Sequence, residues 1–179
     1  MTGRQRVRDL VAAALPPFVG PLGATVYRAR TWPVTLPALP AVLVYGYEET
    51  KTSAAVTSPD ERYDVSCQMV VQALVRGDTP EAVEAALEAF ADAIEIAVLR
   101  CPALIGGTGT IEHIAGVKTK IEVPRASGDE CLGEISMTFE MLWSEQFLVR
   151  RPGDDTDDSG FIGCTEIDAR VHLDLGAPR

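Results

Sequence analysis

The chain has 179 residues, 46% hydrophobic and 23% charged, which suits one well-filled domain and lies outside the range of disordered chains. Its 26 acidic residues against 16 basic ones give a formal net charge of -10, which repels a phosphate backbone and argues against sequence-specific nucleic-acid binding. The longest apolar stretch, Ala38 to Tyr47, contains Pro40 and is about half of the roughly 20 residues that cross a bilayer, so no membrane span is expected.

Val7, Leu10, Val11, Ala14 and Leu15 recur at helical spacing between Arg4 and Leu15, and Pro16-Pro17 stops the run. Arg4, Arg6 and Arg8 sit near the start of this helix, where the macrodipole opposes positive charge at modest cost. The apolar run behind them is shorter than a signal-peptide core, so synthesis in the cytoplasm is expected. Next, Ala24 to Arg30 alternates briefly and Ala41 to Tyr47 is almost continuously apolar, predicting an outer strand and a buried central strand. The segment from Gly46 to Arg62 is polar, contains Ser58-Pro59-Asp60 and follows neither a period of 2 nor one of 3.6. It reads as a long flexible loop over about 46–62, of a length that often carries function.

From Tyr63 the odd positions Val65, Cys67, Met69, Val71, Ala73 and Val75 are apolar while Asp64, Ser66, Gln68 and Gln72 alternate with them, as in an amphipathic strand. Thr79 is then a good N-cap with Pro80 at the first helical position. In the helix that follows, Val83, Leu87, Phe90, Ile94 and Val98 should face a sheet. Glu81, Glu84, Glu88, Asp92 and Glu95 make an acidic stripe, ordinarily a solvated face and alternatively a surface for a basic partner. Pro102 and Gly106-Gly107 end the helix. Val117 to Val123 and Ile135 to Trp143 alternate as an antiparallel hairpin around a loop from Pro124 to Cys131. A last alternation, Ile167, Ala169, Val171, Leu173 and Leu175, predicts a C-terminal strand after an acidic linker over about 150–160. The elements add up to an α+β fold: a single domain over 1–179 whose mostly antiparallel or mixed sheet packs on two main helices.

Motifs for chemistry are sparse. Lys118-Thr119 lacks the glycine loop of a phosphate cradle, and Gly106, Gly107 and Gly109 follow a helix where a dinucleotide site needs a strand. No serine lies in a nucleophile elbow, and His113 and His172 have no readable partners, so no catalytic residue and no enzymatic activity are expected. Cys67, Cys101, Cys131 and Cys164 lie far apart and read as reduced, partly buried thiols. One stretch fits a calcium loop: Asp155, Asp157, Ser159, Ile162 and Glu166 fall at ligand or loop-core positions, with Gly160 at the turn. Its flanks are Pro152-Gly153 and a strand-like run in place of two helices, so an acidic linker without a cofactor is expected, with calcium binding the minority alternative.

Val26-Tyr27-Arg28-Ala29-Arg30, Leu39-Pro40-Ala41-Val42-Leu43-Val44-Tyr45 and Glu48-Glu49 resemble the tail-terminator proteins of long-tailed bacteriophages, the minor tail protein U type. The helix from Arg4, the strand from Tyr63 leading into a helix with Leu87, Ala91, Ile94 and Glu95, and closing strands with Phe139 and Trp143 agree, so the resemblance covers roughly 4–147. It implies a virion protein, made in the host cytoplasm, that forms a hexameric ring at the head-proximal end of the tail. Such a ring stops tube polymerisation and offers the head a joining surface. Its expected partners are copies of itself, the tail-tube protein and a head–tail connector or neck protein. A neck or head-completion protein, a tail-tube protein and a calcium-binding interaction domain are the alternatives. A net acidic ring would also let DNA pass through its lumen without sticking.

Overall fold

The computed structural model describes residues 3–28, 38–54, 61–105, 110–123 and 131–147. Helix α1 (Gly3–Ala14) turns Val7, Val11 and Ala12 inward, and a short helix α2 (Pro16–Val19) follows at the two prolines. A 3-10 turn at Gly20–Leu22 ends on Gly23 at φ 80°, a conformation open to glycine at little cost. Then come β1 (Thr25–Tyr27), β2 (Ala41–Ser53), β3 (Glu61–Gly77), helix α3 (Pro80–Leu99), β4 (His113–Glu122) and β5 (Cys131–Phe147).

The five strands form one sheet in the order β1-β2-β3-β5-β4. β1 runs parallel to β2, and every other pairing is antiparallel. The α+β architecture expected from the sequence is therefore the one observed. β4 and β5 are the expected hairpin, and β5 is inserted between β3 and β4.

One face of the sheet carries the core. Cys67, Met69, Val71 and Ala73 of β3 lie beside Met141, Phe139, Met137 and Ile135 of β5, and all are buried. Val42 and Val44 of β2 extend this layer. Helix α1 covers β2, and α3 lies across β3 and β5. In α3 the residues Val83, Leu87, Phe90, Ile94 and Val98 are buried and the five acids are exposed, as the 3.6-residue period requires. Thr79 Oγ1 accepts a hydrogen bond from the Ala82 N–H at 3.2 Å, a cap worth about 1 kcal/mol.

Two expectations change. Strand β2 continues to Ser53 and β3 begins at Glu61, so most of the loop expected over 46–62 is strand; only 55–60 lies outside the described residues. The reason is a bulge: Gly46 pairs with Met69 and Glu48 with Gln68, leaving Tyr47 as an extra residue. That extra residue reverses the parity of β2, so Glu49 and Lys51 take the core-side positions and the alternation is lost. The Ala41–Tyr47 run is likewise less central than expected, because β1 pairs only with Ala41, Val42 and Leu43. From Val44 onward β2 has no second strand neighbour among the described residues.

Cys67, Cys101 and Cys131 are free thiols, Cys67 fully buried. Burial pushes the Cys67 thiol up from its ordinary 9.0 to about 11, with Glu49 adding to the rise. Folded protein at pH 8 is therefore expected to leave Cys67 unalkylated by iodoacetamide while unfolded protein labels it, read by peptide mass spectrometry. Because the folded pKa is the raised one, the folded state holds this proton longer. Its stabilising contribution is complete below about pH 9 and is lost as pH rises towards 11.

Candidate assembly surface

The second face of the sheet has no helix over it among the described residues. It is mixed: Ala41, Leu43, Val70, Leu74, Leu132 and Leu142 lie among polar and charged residues, and cross-strand hydrogen bonds tie it together. Ser66 Oγ donates to Glu140 Oε1 at 3.2 Å, Gln72 Nε2 to Glu134 Oε1 at 2.6 Å, and Ser144 Oγ to Glu112 Oε1 at 2.6 Å. Both charge signs occur, with Arg62, Lys118 and Lys120 among Glu48, Asp64 and Glu140. Across the middle runs an open trough of about 640 Å³, bounded by Tyr45 and Tyr47 on one side and by Lys118 and Lys120 on the other. Its floor, Gln68, Ser136 and Thr138, offers hydroxyl and amide groups, with the Glu140 carboxylate beside them.

The two margins of this face are long strand edges. β4 is exposed along almost its whole length, and none of the described residues pairs with its outer side. Its core-side residues Val117 and Ile121 project beyond α3 and remain 41% and 37% exposed. Lys118 and Lys120 point to the uncovered face, Lys120 in an ion pair with Glu122 whose hydrogen bond raises its pKa. At the opposite margin the bulge presents Tyr47, 69% exposed, next to the exposed Glu48. Since β2 and β5 run one way and β3 and β4 the other, the two margins are antiparallel to each other.

On the core side, near the β2–β3 turn end, lies a charged cluster that sequence reading missed. Glu145 is 2% exposed; it accepts from Trp143 Nε1 at 3.0 Å and from Lys51 Nζ. Lys51 also lies 3.6 Å from Glu49, which Arg4 of α1 approaches at 4.0 Å. The available signal was the β5 alternation, which continues from Trp143 to Glu145 and so places an acid in the core row.

The calcium-loop candidates Asp155, Asp157, Ser159, Ile162 and Glu166, the acidic linker, Cys164 and the strand expected over 167–175 lie outside the described residues. Among the described residues, no three His, Cys, Asp or Glu side chains gather as a metal site, and no helix is long and apolar enough to cross a membrane. His113 stands exposed at the start of β4.

No family model matches the sequence, and no curated protein matches it. Several solved chains match it. One, from a structure described as the virion of a native gene transfer agent (GTA) particle, is 13% identical, with 78% of this chain and 94% of that chain covered and a TM-score of 0.43.

Proposed function

We propose that this chain is a structural virion protein of a long-tailed, phage-type particle that assembles with copies of itself into a ring at the head-proximal end of the tail. There it ends tube polymerisation and presents a joining surface to the head. The observation that supports the reading most is the pair of long antiparallel strand edges, unpaired among the described residues, that flank a sheet face no described helix covers, because open edges are the usual sites of strand pairing between chains. The sequence resemblance over roughly 4–147 points the same way. The work needs no catalysis: a closed ring needs two different, mutually complementary patches on each copy.

Molar mass by light scattering over a concentration series, with negative-stain imaging of any large species, is the test of assembly. Addition to polymerising tail-tube protein of the same particle is the test of role. Rings, together with tubes of arrested length, are expected. Long tubes formed by the chain alone would make it a tube protein, and binding to the connector but never to tube ends would make it a neck protein. A monomer at every concentration, with or without tubes, would sink the reading.

A further inference from the structure

The two sheet margins suit each other. We infer that β4 of one copy pairs antiparallel with the outer side of β2 in the next, joining the sheets edge to edge. This rests on the ring reading and names the contact within it. Four observations carry it. Both margins are long: β4 spans His113–Glu122, and β2 runs on past its short partner β1 to Ser53. They run in opposite directions, so repeating one rotation from copy to copy brings them together as an antiparallel pair.

Their charges on the second face of the sheet are complementary in balance: β4 carries Lys118, Lys120 and Glu122 there, a net positive charge, against Glu48 on β2. With Lys120 set across from Glu48, Lys118 falls across from Thr50 and diagonal to Glu48, and every residue keeps the face it already occupies. Finally, the exposed Val117 and Ile121 on the core side would lose water to the neighbouring strand. The contact is heterologous, with a different patch on each partner, which is the arrangement that closes into rings. An antiparallel pairing of β4 with β4 can also match charge, Lys120 against Glu122, but it is isologous: it closes as a two-fold dimer, leaves the β2 margin unused and builds no ring.

The test is charge reversal in the full chain. Lys118→Glu with Lys120→Glu, and separately Glu48→Lys, are each expected to raise the concentration for half-assembly at least tenfold. The variant carrying all three changes is expected to recover most of that loss. All these positions are exposed, and circular dichroism should show each variant folded. Hydrogen exchange supplies the second readout: the alternate amides of residues 113–122 that point away from β5 should exchange rapidly in the monomer and slowly in the assembly. Rings that form equally well in all the variants would overturn the edge pairing and leave the ring reading intact. Slow exchange of these amides in the monomer would overturn it too, since a strand of the same chain would then hold the edge. A wild-type chain that never assembles would overturn both.

Discussion

Gly133→Val is expected to lower stability by roughly 3 kcal/mol, the upper part of the range for forcing extra carbon into a packed interior. In a domain of this size that corresponds to a melting temperature roughly 6–12 °C lower. Gly133 is buried on the core side of β5, directly beneath the first turns of α3. A Cβ placed there would stand 2.3 Å from Val83 Cγ1 and 2.8 Å from Leu87 Cδ1. Neither neighbour can easily withdraw, because both side chains are themselves buried. Gly77, diagonal to Gly133 and two rungs along the β3–β5 ladder, has the same relation to Val83, with a 2.9 Å approach to its Cγ2. The two glycines form a notch that lets the start of α3 sit close on the sheet. Gly116 is the control: a Cβ there would meet nothing nearer than Glu140 Oε2 at 3.9 Å, so Gly116→Ala should melt within about 2 °C of the wild type. Equal melting of Gly133→Val and wild type, by differential scanning calorimetry, would show that α3 does not approach β5 in this way.

The parts of the fold legible in the sequence were those with one buried face. Cys67 to Val75 and Ile135 to Trp143 alternate, with Val70, Leu74 and Leu142 as exceptions, because α3 covers one side of β3 and β5. The start of α3 was legible because Thr79 and Pro80 act locally on the backbone. Strand residues beyond helix cover were not legible. Past the Tyr47 bulge, β2 reads Glu-Glu-Thr-Lys-Thr-Ser, polar on both faces, and nothing in the order of residues shows that β3 continues beside it. Strand order was also invisible, since no local rule dictates that β5 should lie between β3 and β4. The candidate surface is defined by that order, which sets the stretch of β2 beyond its short partner β1 opposite β4, with Glu48 on one margin and Lys118 and Lys120 on the other.

Strand order also bears on charge. A net charge of -10 makes the chain acidic as a whole, yet the second face of the sheet intersperses both signs. Much of the surplus acid stands on the exposed stripe of α3, on the other side of the sheet. If the uncovered face lines a ring, it would meet DNA with paired charges such as Lys120 and Glu122, and the α3 stripe would face other proteins.

Lys51→Met should lower stability by about 2–3 kcal/mol in a denaturant titration, with the midpoint reduced and the slope unchanged. Glu145 is an acid in the core row, and its carboxylate is held by two donors, the Trp143 indole and the Lys51 ammonium. Removing the cation leaves a desolvated carboxylate with one neutral donor. Breaking a fully buried pair costs about 3–5 kcal/mol, but the Lys51 side chain is 32% exposed and water can reach its end, so the cost falls at or below the lower end of that range. Adding Glu145→Gln to Lys51→Met should restore most of the loss, since the neutral amide oxygen can still accept from Trp143 and no charge is left stranded. The two changes would then be coupled by about 1–2 kcal/mol in a double-mutant cycle. Strict additivity would mean that Lys51 contributes only its aliphatic stem. Coupling would establish that the turn end of the β2–β3 ribbon is fastened to β5 by this pair, and through Glu49 and Arg4 brought close to α1, giving the β2 margin a fixed position from which to meet another chain.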